Sequence, residues 1–217
     1  MLKIPLNLPV IMRKTIFAIL LLFASASTNA QNDTIVAHSP GRFQFSISYV
    51  SSLIYPGLSA GTEYLIRTND FSIRKNDGNY RYISKSRLAE VSVNWYHHTG
   101  FHDNLYLTVE YVMRRTRKSG LITEFAAGPG FSRTFLGGTT YKVNDNGDVS
   151  IIKHAGYNYA LVTAGGGFGF DFSSKVKRPY SLIARLNMIA MFPYNSTVYI
   201  RPVLEVGFHA NPFLWNK

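Results

Sequence analysis

The sequence predicts an all-β protein: an eight-stranded antiparallel up-and-down transmembrane β-barrel preceded by a cleaved signal peptide. Three observations lead there. From Gln31 onward the 217-residue chain repeats, about eight times, a stretch of roughly 9 to 14 residues in which apolar and polar side chains alternate before a short polar turn. A secretory signal pattern lies directly before the first repeat. A strand of that length, tilted by about 45°, spans the hydrocarbon layer of a bilayer, and closing the sheet leaves no unpaired backbone edge in lipid.

At the N-terminus, Arg13 and Lys14 form a positive region, Ile16 to Phe23 an apolar run, and Thr28, Asn29 and Ala30 put small residues before Gln31. The run is too short to cross a membrane as a helix. Cleavage after Ala30 divides the chain into a signal peptide, 1–30, and a barrel, 31–217; a retained anchor is the other reading. The residues ahead of Met12 carry Pro5 and Pro9 and have no signal character, which makes Met12 a candidate true start. Removing 1–30 takes Lys3, Arg13 and Lys14 from the 23 basic residues, leaving 20 against 12 acidic ones, a charge of +8. A basic exported chain points to anionic surfaces and away from nucleic acid. The absence of cysteine excludes a disulfide framework and a lipoprotein anchor. No second apolar run reaches the length of a transmembrane helix, so membrane residence has to come from strands.

Each strand keeps one apolar and one polar parity. The first, about 42–50, sets Phe43, Phe45, Ile47 and Tyr49 against Gln44, Ser46 and Ser48. The second, about 58–67, sets Tyr64 and Ile66 against Glu63 and Arg67, and the third, about 87–97, sets Ala89, Val91, Val93 and Trp95 against Glu90, Ser92 and Asn94. In the fourth, about 104–115, Leu105, Leu107, Val109, Tyr111 and Met113 oppose Tyr106, Thr108, Glu110 and Arg114. The fifth, about 120–134, opposes Leu121, Phe125 and Ala127 to Glu124, Gly128, Gly130 and Ser132, with a kink expected at Pro129. The sixth, about 158–172, places Phe168, Phe170 and Phe172 against Thr163, Gly165, Gly167, Gly169 and Asp171. The seventh, about 181–192, opposes Leu182, Leu186 and Met188 to Arg185 and Asn187; the eighth, about 197–209, opposes Ile200, Leu204 and Phe208 to Arg201, Glu205 and His209, with Pro202 weakening its pairing. The two longest connections, 68–86 and 136–156, carry the turn-forming runs Lys75 to Asn79 and Asn144 to Asp148, and either suits a hairpin projecting beyond the bilayer.

The same alternation fits a soluble ligand-carrying barrel, apolar inside, and a membrane barrel, apolar outside; the parity that faces inward decides between them. Large aromatics near strand ends, Phe43, Tyr49, Tyr64, Trp95, Tyr111, Phe168, Phe172 and Phe192, suit the interfacial girdles of a membrane barrel. The polar parity then carries Glu63, Arg67, Glu90, Glu110, Arg114, Glu124, Asp171, Arg185, Arg201 and Glu205 into the lumen. An eight-stranded barrel has room only for side chains inside, so these charges are expected to pair as a plug.

No motif calls for a cofactor or identifies a catalytic residue. His97, His98 and His102 beside Asp103 are weak metal candidates without the spacing of a metal motif. His154 and His209 show no partner in sequence. Gly165 to Gly169 lacks the Lys-Ser/Thr of a phosphate loop and reads as small inward residues that leave room for bulky neighbours. Asn144 to Asp148 lacks the closing Glu of a calcium loop, and Asn195-Ser196-Thr197 is an incidental sequon. Three connections are basic and share one rim: Arg74, Lys75, Arg81 and Lys85; Arg114, Arg115, Arg117 and Lys118; Lys175, Lys177 and Arg178.

With Tyr55-Pro56-Gly57-Leu58-Ser59-Ala60-Gly61-Thr62-Glu63-Tyr64, Trp95-Tyr96-His97-His98 followed by Leu105 to Tyr111, and the closing Gly207-Phe208, most of the mature chain resembles the small outer-membrane β-barrels of Gram-negative bacteria, in a Bacteroidota-like variety. The resemblance implies the cell outer membrane as location, outer-membrane lipids and lipopolysaccharide as surroundings, and insertion by the barrel-assembly machinery. Such barrels often end on an aromatic residue, whereas here Phe213 and Trp215 precede Lys217. It implies no activity. The expected role is structural or one of surface interaction; the alternatives are a lipid A deacylase or acyltransferase and a soluble ligand-binding barrel. No histidine has a serine two residues on, which removes the deacylase's His-x-Ser pair.

Overall fold

The computed structural model describes residues 42–52, 55–74, 80–173, 180–194 and 197–211. The signal-sequence expectation, His38, Lys75 to Asn79, Lys175, Lys177, Arg178, the Asn195–Ser196 part of the sequon and the terminal Phe213, Trp215 and Lys217 lie outside the described residues.

Alternating side chains and closely spaced turns produce ten strands: β1 (Phe43–Ser52), β2 (Tyr55–Arg74), β3 (Tyr80–His98), β4 (His102–Arg117), β5 (Leu121–Leu136), β6 (Thr140–Val143), β7 (Val149–Ile152), β8 (Asn158–Asp171), β9 (Tyr180–Tyr194) and β10 (Thr197–Ala210). Eight of them close into an antiparallel barrel in the order β1-β10-β9-β8-β5-β4-β3-β2, and β6 and β7 pair as a separate ribbon. Closure comes from the pairing of β1 with β10, Phe45 opposite Ala210 through Ser51 opposite Leu204. The eight-stranded up-and-down architecture is therefore the one its alternation implies, and no backbone edge is left between first and last strand.

The apolar parity faces out. Phe43, Phe45, Val91, Val93 and Leu107 are all exposed, and Ile47 and Phe168 reach 69%. The opposite parity is buried, as in β4, where Asn104, Tyr106, Thr108, Glu110, Val112 and Arg114 alternate with exposed residues. A soluble ligand carrier would have the reverse arrangement. An apolar exterior wrapped around a polar interior, in a sheet closed on itself, is the construction of a membrane-spanning barrel. Of the expected girdle residues, Phe43, Tyr49, Tyr64, Trp95, Tyr111, Phe168 and Phe192 are exposed, while Phe172 is half-buried with its ring 5.2 Å from that of Tyr180.

Two details refine the sequence expectation, the length of the β2-β3 pairing and the passage of β5 through Pro129, and a third agrees with it. The connection expected over 68–86 is mostly strand: β2 and β3 stay paired out to Arg74 opposite Tyr80, with a β-bulge between Leu65 and Arg67. Thr68, Phe71, Ile73, Tyr80 and Tyr82 are strand-favouring types, so a count of alternating polarity alone understates such a hairpin's length. The long connection after β5 does form a projecting hairpin, β6-β7, turned by Asn144 to Asp148 with Gly147 at φ 81°. β5 runs unbroken through Pro129. There its pairing with β4 skips from Thr108 opposite Gly130 to Tyr111 opposite Ala127, since proline has no N–H to donate.

Candidate functional site

The candidate site is the lumen, which has three layers. Its middle is a network of charges held by strand alternation on facing walls. Arg114 on β4 forms a two-pronged bond with Glu63 on β2, at 2.8 and 2.6 Å, and its Nε donates to Glu124 on β5 at 2.8 Å. Glu124 accepts in turn from Nε of Arg185 on β9 at 3.0 Å. Arg185 reaches onward to Glu110 and Glu90, both at 3.0 Å. Two guanidiniums thus bind four carboxylates contributed by β2, β3, β4 and β5, tying opposite walls together. Guanidinium forks suit this geometry because five fixed donors can serve several carboxylates at once. Every one of these side chains is buried.

The flanking residues complete the polar bonding. Thr163 donates to Glu110, and Asn187 Nδ2 donates to Glu205 at 3.0 Å. His209 Nδ1 lies 3.1 Å from Glu63 Oε1, near enough for charge attraction but not aligned as a hydrogen bond. The glycines of β8 make the room: a Cβ on Gly167 would stand 2.6 Å from the Ala184 carbonyl and 3.2 Å from Cβ of Arg185, and one on Gly165 would stand 2.0 Å from Asn187 Oδ1.

Toward the rim opposite the termini the lumen turns apolar and aromatic. Tyr96, Tyr106, Tyr159, Leu161, Ile189, Met191, Val50 and Val203 form one buried cluster. Arg201 lies against it, its guanidinium 4.1 Å from the centre of the Tyr96 ring. Toward the termini a cavity of roughly 150 Å³ opens above the Glu63–Arg114 pair, with Gln44, His209 and Asp171 in its wall.

Seven of the ten charges expected inside, Glu63, Glu90, Glu110, Arg114, Glu124, Arg185 and Glu205, are held in this bonded middle. Arg201 is buried but lies over the Tyr96 ring. Asp171 is only half-buried at the cavity mouth, where it accepts from the Ser173 N–H at 2.8 Å. Arg67 corrects the expectation outright: Leu65 still shares the inward parity of Glu63, but the bulge after it reverses the parity of β2 and sends Arg67 outward, where its Nε donates to Asn69 at 3.0 Å. Arg114, counted by sequence both on the inward parity and with the basic rim, belongs to the lumen alone. His209 is the converse miss, a side chain without a visible partner in sequence that lies beside Glu63; its place on the polar parity of the last strand was the available signal.

The three histidines do not converge. Alternation sends His97 outward, where Nδ1 meets Asp103 Oδ1 at 2.7 Å, and His98 inward, where its ring centre lies 5.0 Å from that of His102. No group of three or more His, Asp or Glu among the described residues is placed to hold a metal ion.

No protein-family model matches the chain, and no curated protein matches it. Solved structures with a similar course of the chain include the N-terminal β-barrel domain of Pseudomonas aeruginosa OprF, 12% identical over 77% of this chain and 96% of that one with a TM-score of 0.46. Neisserial surface protein A is 13% identical over 77% and 94%, TM-score 0.43, and the outer membrane enzyme PagL 10% identical over 77% and 99%, TM-score 0.43. Likenesses this distant assign no role to any residue of this chain.

Proposed function

We propose that the protein is an integral outer-membrane β-barrel with a plugged lumen, acting structurally or through surface contacts at its rims. The observation that carries this reading is the Glu63–Arg114–Glu124–Arg185 network across the middle of the lumen, capped on one side by the tyrosine cluster. Ions would have to displace bonded charges to pass, and a substrate would find no free nucleophile among them. The β6-β7 hairpin supports surface contact: Tyr141 opposite Ile151 and Val143 opposite Val149 present four apolar side chains, each at least 60% exposed.

On this reading residues 1–30 are a signal peptide, the barrel-assembly machinery inserts the chain, and lipopolysaccharide and other outer-membrane lipids surround it; the Bacteroidota-like kinship rests on the Tyr55 to Tyr64 and Trp95 to His98 segments. The test is conductance of the full barrel in planar bilayers. A silent membrane is expected, and a steady single-channel current would overturn the plug. Lipid A from a deletion strain is expected to keep its acylation pattern, and a changed pattern would move the reading to the enzyme alternative.

A further inference from the structure

The bulge that removes Arg67 from the lumen delivers it to an exterior surface already rich in cations. Arg67 on β2 stands directly opposite Arg87 on β3, and Lys85 on β3 stands directly opposite Arg115 on β4. Arg117, opposite Ile83, extends the patch to the β4–β5 turn. Like charges directly opposed across a ladder repel. No ion pair among the described residues joins any of the five to a carboxylate. The Nε atoms of Arg115 and Arg117 are shut off from solvent without a hydrogen bond.

The surroundings are those of a membrane boundary. Lys85 Nζ lies 5.0 Å from the Phe71 ring centre and Lys118 Nζ 5.5 Å from that of Tyr82, while Met113, beside Arg87, and Tyr64 are exposed apolar neighbours. Long cationic side chains over aromatics at the edge of an apolar band place their heads at headgroup depth.

We propose that this patch on the outward face of β2, β3 and β4 binds the phosphates of anionic phospholipids in the leaflet at the termini-bearing rim. Two opposed cation pairs on neighbouring strands then grip one or two phosphates, and the anion removes the repulsion that the ladder imposes. The inference rests on the membrane-spanning reading and adds a lipid class and a place to it.

The experiment is native mass spectrometry of the full barrel released from mixed phosphatidylglycerol and phosphatidylcholine micelles. The wild type is expected to retain phosphatidylglycerol preferentially, and Arg87→Gln and Arg115→Gln each to weaken that preference by about fivefold, as expected for one surface cation. Arg133→Gln, at the opposite rim, is expected to leave it unchanged. Retention of both lipids alike by the wild type overturns the proposal, as does equal loss in R133Q, which would mean total charge alone. Failure of the same protein to float with liposomes of either lipid, measured alongside, overturns the membrane reading as well, whereas flotation without lipid preference in the micelles overturns this inference alone.

Discussion

Arg114 and Arg115 are neighbours in sequence with opposite surroundings. Arg114 points into the lumen and binds Glu63 and Glu124; Arg115 points out, faces Lys85 across the ladder and binds no carboxylate among the described residues. The same guanidinium fastens the barrel in one place and, in the other, leaves positive charge for something outside the chain. Composition cannot separate these roles. The difference comes from strand alternation combined with the walls that closure brings opposite each inward residue.

The comparison breaks most severely at Arg185. Arg185→Ala leaves Glu90 and Glu110 buried without their cation and Glu124 with Arg114 alone, and a loss of about 3–5 kcal/mol is expected, measured as a fall in the urea midpoint of the folded, heat-modifiable form. A smaller effect is expected on the apolar exterior. Val91→Arg puts a charge on the lipid face in the middle of β3 and is expected to cost about 2–4 kcal/mol in lipid; a variant as stable as wild type in liposome refolding would argue against hydrocarbon contact there. Gly167→Ala tests the space beside Arg185 and is expected to cost about 1–3 kcal/mol through crowding, with a lower melting temperature as readout. The smallest effect has the opposite sign. Arg87→Gln relieves the repulsion with Arg67 and is expected to stabilise the barrel by about 0.2–1 kcal/mol in zwitterionic detergent, a gain that shrinks or reverses in phosphatidylglycerol. A loss in both media would remove the contrast between the inner and outer arginines.

Much of the fold was legible because alternation is local. Val91, Val93 and Trp95 against Glu90, Ser92 and Asn94 already define a two-faced strand, and Asn146-Gly147 already marks the turn of the projecting hairpin. That the connection over 68–86 could project as a hairpin was legible from its turn residues, whereas how far β2 and β3 stay paired was not, since strand residues past the barrel wall need not alternate. Within the site, Glu63, Glu124 and Arg185 were visible as inward charges, whereas Arg67 was misplaced because one inserted residue reverses every later parity of a strand. Of the tyrosine cluster only Tyr106 was read on the inward parity: Tyr96 and Ile189 sit on the inward parity of strands whose outward parity is equally apolar, so polarity alone does not reveal them.

The sequence by itself determined the number of barrel strands, their alternation and the inventory of charges available to the polar face, because period-two patterning and turn chemistry act over a few neighbouring residues. Which face encloses the lumen, which carboxylate each guanidinium binds, and that Arg67 joins Arg87 outside were decided only by the tertiary structure. Those outcomes depend on register around a closed ring and on the side chains that closure places opposite one another, and both are set by residues as far apart in the chain as Glu90 and Arg185.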